Sequence, residues 1–126
     1  MSGCEVWDVV KVPFPYTNRP IHQYRPSLVI ASSDAAGSTE SPGPRLLWVL
    51  MITSAEHRTW PGDVAITDLE HAGLPAASVV RTTKIATVED GMAESIGSLG
   101  LAERGLVTDA VERLFTEAGI RMRRES

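Results

Sequence analysis

The sequence predicts a mainly β, half-open barrel with one C-terminal helix. Three observations point there. Apolar runs of strand length alternate with turns rich in glycine, proline and serine. No helical period occurs between those runs, which argues against a parallel α/β sheet. One helical period does occur, close to the C-terminus.

Residues 6–14 open the series. Asp8, Val10, Val12 and Phe14 alternate with Trp7, Val9, Lys11 and Pro13, giving one mostly apolar face. Pro13 and Pro15 have no N–H for a ladder, so this end is an edge or leaves the sheet. "SLVIAS", 27–32, is a second strand, and "SDAAGSTESPGPR", 33–45, a flexible loop. "LLWVLMIT", 46–53, is apolar on both faces, as in a central strand. "GDVAIT", 62–67, and "SVVRTTKIAT", 78–87, add two strands, "EHAGLP", 70–75, is a turn, and a weaker strand lies near 94–99. Val107, Val111, Leu114, Phe115 and Ala118 then recur on one helical face. Gly119 stops that helix, and Gly105 weakens any extension toward Leu101.

A chain of 126 residues suits one domain spanning 1–126, with 119–126 a mobile tail. The longest apolar run is too short to cross a bilayer, and the N-terminus lacks a signal-peptide pattern, so the expected location is the cytoplasm, with no membrane partner. Cys4 is the only cysteine, which excludes an internal disulfide. It lies near a strand start with no obvious activating partner. There is no phosphate loop, dinucleotide fingerprint or nucleophile elbow. His22, His57 and His71 lack zinc-ligand spacing, so no metal or cofactor is expected.

The net charge of −4 argues mildly against nucleic-acid binding, but its distribution is uneven. Residues 9–33 carry Lys11, Arg19 and Arg25 and no carboxylate, while residues 85–120 are strongly acidic. The loop between the first two strands, with Arg19, His22 and Arg25, is therefore a candidate anion-facing segment. Pro26 biases Arg25 toward an extended backbone, so its planar guanidinium starts from a rigid base suited to a phosphate. Thr53 and Ser54 offer two hydroxyls where the third strand ends. If strands two and three pair antiparallel, Arg25 begins one where Thr53 ends the other, at the same edge of the sheet. Arg81 and Lys84 are weaker candidates for a basic wall. His22 and His57 belong to the one residue type that titrates near neutrality.

The ordered set "WDVVKVPFPYTNRP…QYRPSLVIAS", "LMITS", "GDVAI", "GLPAASVVRTTKIATV" and "IGSL" resembles the MazF/PemK family of toxin–antitoxin ribonucleases over nearly the whole chain. Where that family has a glycine before "DVV", this sequence has Trp7. The resemblance implies an SH3-like half-open barrel, a homodimer, a cognate antitoxin, and metal-independent cleavage of single-stranded RNA to 2′,3′-cyclic phosphate and 5′-hydroxyl ends. It assigns catalysis to Arg25 and Thr53 and secondary RNA contacts to Ser54 and Lys84. Residues 16–24 correspond to the loop for which RNA and antitoxin compete. Two alternatives remain at this point: a CcdB-like gyrase-directed toxin that binds protein on the same barrel, and a binding barrel without catalysis.

Overall fold

The computed structural model describes residues 3–14, 23–34 and 44–119. Six strands of the described residues form one sheet: β1 (Asp8–Phe14), β2 (Gln23–Asp34), β3 (Arg45–Ser54), β4 (Asp63–Ala65), β5 (Ser78–Glu89) and β6 (Glu94–Ser98). Their order is β4-β5-β3-β2-β1-β6, and every pairing is antiparallel. Among the described residues two α-helices, α1 (Leu69–Ala72) and α2 (Leu101–Glu117), and a 3-10 turn (Asp90–Met92) accompany them.

Strand alternation sorts the apolar side chains into two cores. Val9 of β1, Leu28 of β2, Leu50 and Ile52 of β3 and Val80 of β5 share one core with Val107 of α2. Val10, Val12 and Phe14 of β1 meet Val29, Leu47, Val49 and Met51 in the other. β3 feeds both, which accounts for its apolar run and its central place. The sheet curls because β5 is bent. Leu50 pairs with Ile85 and Met51 with Arg81, so residues 82–84 are extra on β5. Such a bulge bends its strand and sharpens the twist.

β1 is an internal strand between β2 and β6. β6 reaches only to Lys11, so among the described residues the proline end of β1 is an edge, as its sequence predicts. Three expectations need correction. The 70–75 turn contains one helical turn, α1, capped by Asp68 and ended by Gly73 at φ +75°. A Cβ on Gly73 would lie 2.0 Å from the Ile96 carbonyl oxygen, so both the handedness and the space require glycine. β4 is shorter than 62–67. Finally, α2 begins at Leu101 and runs through Gly105. Gly105 costs about 1 kcal/mol of helix propensity, but Glu103 in the first turn accepts from the Thr67 hydroxyl, and Val107 is buried in the core. That tertiary anchoring outweighs the propensity loss. Gly119, at φ +83°, follows the last turn as expected.

Trp7 has φ +79°, the left-handed conformation that a glycine adopts without strain. Its N–H donates to the Val29 carbonyl at 2.8 Å, and its carbonyl accepts from Leu99 N–H at 2.9 Å. The Arg104 guanidinium lies 5.7 Å from the centre of its ring.

Candidate active site

The site forms where the β2–β3 ladder ends. Ser27 pairs with Met51, and no pair follows toward the start of β2. Backbone polar groups alternate in direction along a strand. The Val29 carbonyl points toward β1, where it accepts from Trp7 N–H. Two residues earlier per step, Ser27 and Arg25 point the same way, so Pro26 faces β3. There it has no N–H to offer Ile52, and the ladder stops. β2 continues against β1, where Arg25 pairs with Val12. β3 continues against β5, where Thr53 pairs with Val79.

Carried two residues past its last pair, the same register would reach Arg25 and Thr53. Both belong to the alternation set of Ser27, Val29, Met51 and Val49, and so to the same face of the sheet. Arg25 is half-buried and Thr53 is buried. Ser27 lies between this pair and the core. Its hydroxyl is fully buried and has no hydrogen-bond partner among the described residues.

β3 ends in a tight turn that carries the remaining hydroxyl chemistry. The Ser54 hydroxyl accepts from Glu56 N–H at 3.1 Å, and the Ser54 carbonyl accepts from His57 N–H at 3.1 Å. Ala55 N–H donates to the Ala77 carbonyl at 3.0 Å, tying the turn to the segment before β5. The turn returns the His57 ring to the strand it left. Its Nδ1 lies 2.9 Å from the Thr53 hydroxyl.

The basic wall resolves into two different residues. Arg81 is buried and committed to structure. Its Nε and one terminal nitrogen donate to the two carboxylate oxygens of Asp63 at 3.2 and 3.0 Å, and that terminal nitrogen also donates to the Arg58 carbonyl at 2.7 Å. With these donors occupied, it is not an exposed RNA contact, which corrects the expectation from sequence. Lys84 sits on the β5 bulge, its ammonium 6.0 Å from the centre of the Trp60 ring. Arg81 stacks on the same indole at 4.2 Å. Sequence reading assigned no role to Trp60, and placed Asp63 in a strand without revealing its ion pair. Arg19 and His22 lie outside the described residues. His71 accepts or donates at 2.8 Å to Ser98 on β6, away from this turn.

Cys4 is buried, and burial pushes its thiol pKa up, with the Asp90 and Asp8 carboxylates adding to the shift and Arg45 opposing it. A thiol so placed is less reactive, not more. Among the described residues, no helix is long and apolar enough to cross a membrane.

Comparison with known proteins agrees with this architecture. The MazF toxin of Deinococcus radiodurans superposes with a TM-score of 0.64 at 19% identity, covering 92% of this chain and 99% of that one. A MazE–MazF complex from the same organism gives 0.61 at 18% identity, covering 91% and 97%. An endoribonuclease in complex with its cognate antitoxin, from a mycobacterial species, gives 0.60 at 15% identity, covering 94% and 97%. At these identities the likeness establishes the SH3-like half-open barrel with its C-terminal helix. No curated protein sequence gives a significant match. Residues 5–115 match the profile of the family described as "PemK-like, MazF-like toxin of type II toxin-antitoxin system". With the profile spanning nearly the whole chain, site included, the protein belongs to the MazF/PemK family of type II toxins.

Proposed function

We infer that this protein is an endoribonuclease toxin that cleaves single-stranded RNA without a metal ion, using Arg25 and Thr53. The observation that carries this reading is the β2–β3 register. It ends at Ser27–Met51, two residues short of Arg25 and Thr53, which share the alternation set of that pair. RNA brings its own nucleophile, the 2′-hydroxyl. As the O2′–P bond forms, the P–O5′ bond breaks; one proton leaves O2′ and one arrives at O5′. The products are a 2′,3′-cyclic phosphate and a 5′-hydroxyl. The enzyme must hold the phosphate and absorb the charge that grows on its non-bridging oxygens. Arg25 supplies a planar, permanently charged fork for that purpose, and the Thr53 hydroxyl supplies a second donor. Ser54 can donate its own hydrogen, since its oxygen accepts within the turn. Lys84 extends positive charge along β5.

The partners of this reading are RNA, a second copy of the chain and a cognate antitoxin whose inhibitory segment is acidic. The setting is the cytoplasm. Incubation with a defined single-stranded RNA in the presence of EDTA tests it. Cleavage to cyclic-phosphate ends is expected, and Arg25→Ala and Thr53→Ala should each slow it by ~10²–10³-fold. Intact RNA with the wild-type protein overturns the reading. Inhibition of gyrase by both variants would favour the protein-binding alternative.

A further inference from the structure

We propose that His57 is a positioning residue that decides which way the Thr53 hydroxyl donates. The inference rests on the endoribonuclease reading of the same site. It starts from one distance, 2.9 Å between Thr53 Oγ1 and His57 Nδ1. A threonine hydroxyl has a single hydrogen and can accept as well as donate. If Nδ1 is bare, the hydroxyl donates to the ring and keeps no hydrogen for a phosphoryl oxygen. If Nδ1 carries a hydrogen, the ring donates, and the Thr53 hydrogen turns to the phosphate. Only the second arrangement makes Thr53 a phosphate donor. An imidazole reaches it as one neutral tautomer or as the imidazolium, and a bound phosphate favours both.

The ring is held ready for this role. His57 N–H donates to the Ser54 carbonyl, so the turn that carries the ring is closed onto the end of β3. Thr53 itself is fixed between Val79 of β5 and its own strand neighbours. His57 is exposed, and its other ring nitrogen has no partner among the described residues, so that nitrogen is open to solvent. Charge around the turn comes from Glu56 and Arg58 beside it, from Arg81 of β5 through the Arg58 carbonyl, and from Asp63 of β4, which pairs with Arg81.

The test is single-turnover cleavage of a defined single-stranded RNA in EDTA, followed from pH 5 to pH 9. Wild type, His57→Ala, His57→Asn, Thr53→Ala and the Thr53→Ala/His57→Ala double variant are compared. The asparagine amide nitrogen takes the place of Nδ1 and donates at every pH. His57→Ala is expected to lose roughly tenfold to a hundredfold in rate, less than the ~10²–10³ for removing an aimed donor outright. His57→Asn should recover most of that loss and flatten a pH step seen in wild type. In the Thr53→Ala background, removing His57 should have no further effect. Wild-type rate and pH profile in His57→Ala overturn the inference, as does a His57 effect that multiplies in full with that of Thr53→Ala; the endoribonuclease reading survives both. If wild type leaves the RNA intact, or if Thr53→Ala cleaves at the wild-type rate, both readings fall. Comparable melting of His57→Asn and wild type excludes a folding cause.

Discussion

Ser27 stands opposite Met51, and the β2–β3 ladder ends at that pair. The Ser27 hydroxyl is buried there without a partner among the described residues. A buried, unpaired hydroxyl costs roughly 1–3 kcal/mol. Ser27→Ala keeps the backbone and removes the group, so it should raise stability by about 1 kcal/mol, read as a higher urea midpoint with unchanged slope. A lower midpoint would mean that the hydroxyl has a partner in the folded protein.

Arg25 faces a stricter requirement than charge. Lysine in its place keeps the charge on a flexible stem but loses the planar fork. Arg25→Lys should therefore leave thermal stability near wild type and lower the cleavage rate by ~10²–10³, as for one lost aimed donor. Cleavage at the wild-type rate would reduce Arg25 to a general counter-charge.

The Arg81–Asp63 pair should behave as an element of the fold. Its side chains are 8% and 4% exposed, so neither charge is solvated if the other is removed. Arg81→Ala should cost about 3–5 kcal/mol, the range for breaking a buried pair. Asp63→Ala in the same chain should return part of that loss. Denaturant unfolding of the single and double variants measures both.

Trp7 invites an inverted ranking. Its φ of +79° disfavours any side chain, while its ring faces a groove with Ile30, Val107, Val111 and Phe115. Trp7→Ala gives up the ring and retains the strain; Trp7→Gly gives up the ring and removes it. Glycine should therefore be the more stable of the two by about 1 kcal/mol, the reverse of the usual order. Melting of the two variants side by side decides it.

Cys4 gives a pH signature. Its pKa is raised in the folded protein from an ordinary value of 9.0. Above that value the unfolded thiol loses its proton before the folded one does. The unfolded state then binds fewer protons, and stability falls as pH rises. The contribution is complete below pH 9.0 and is lost between that value and the higher folded pKa. Cys4→Ala should flatten this alkaline slope, as measured by urea unfolding at increasing pH.

Much of the barrel was legible because strand periodicity is local. The runs around Val10–Phe14, Leu28–Ile30 and Leu47–Ile52 all lie in strands, and β2 and β3 pair antiparallel. Gly119 stops α2 for a reason carried by one residue, its freedom at positive φ. Other features depended on partners far along the chain. Gly105 reads as a helix breaker until Val107 is seen in the core and Glu103 against Thr67. Arg81 reads as a surface cation until Asp63, on the neighbouring strand, takes its donors. His57 reads as a loop histidine, since the turn that returns it to Thr53 has no periodic signal.

The amino-acid sequence alone determined most of the strand segments and the face of the C-terminal helix, the uneven charge and the residue types able to hold a phosphate. Each follows from side-chain chemistry and spacing within a short window. Tertiary structure decided the rest: the register that ends the β2–β3 ladder at Ser27 and Met51, the burial that turns Arg81 into a strut, and the contact that gives Thr53 a histidine neighbour. Those properties arise only when distant strands pair, because a ladder's stopping point and a charge's burial belong to two segments at once.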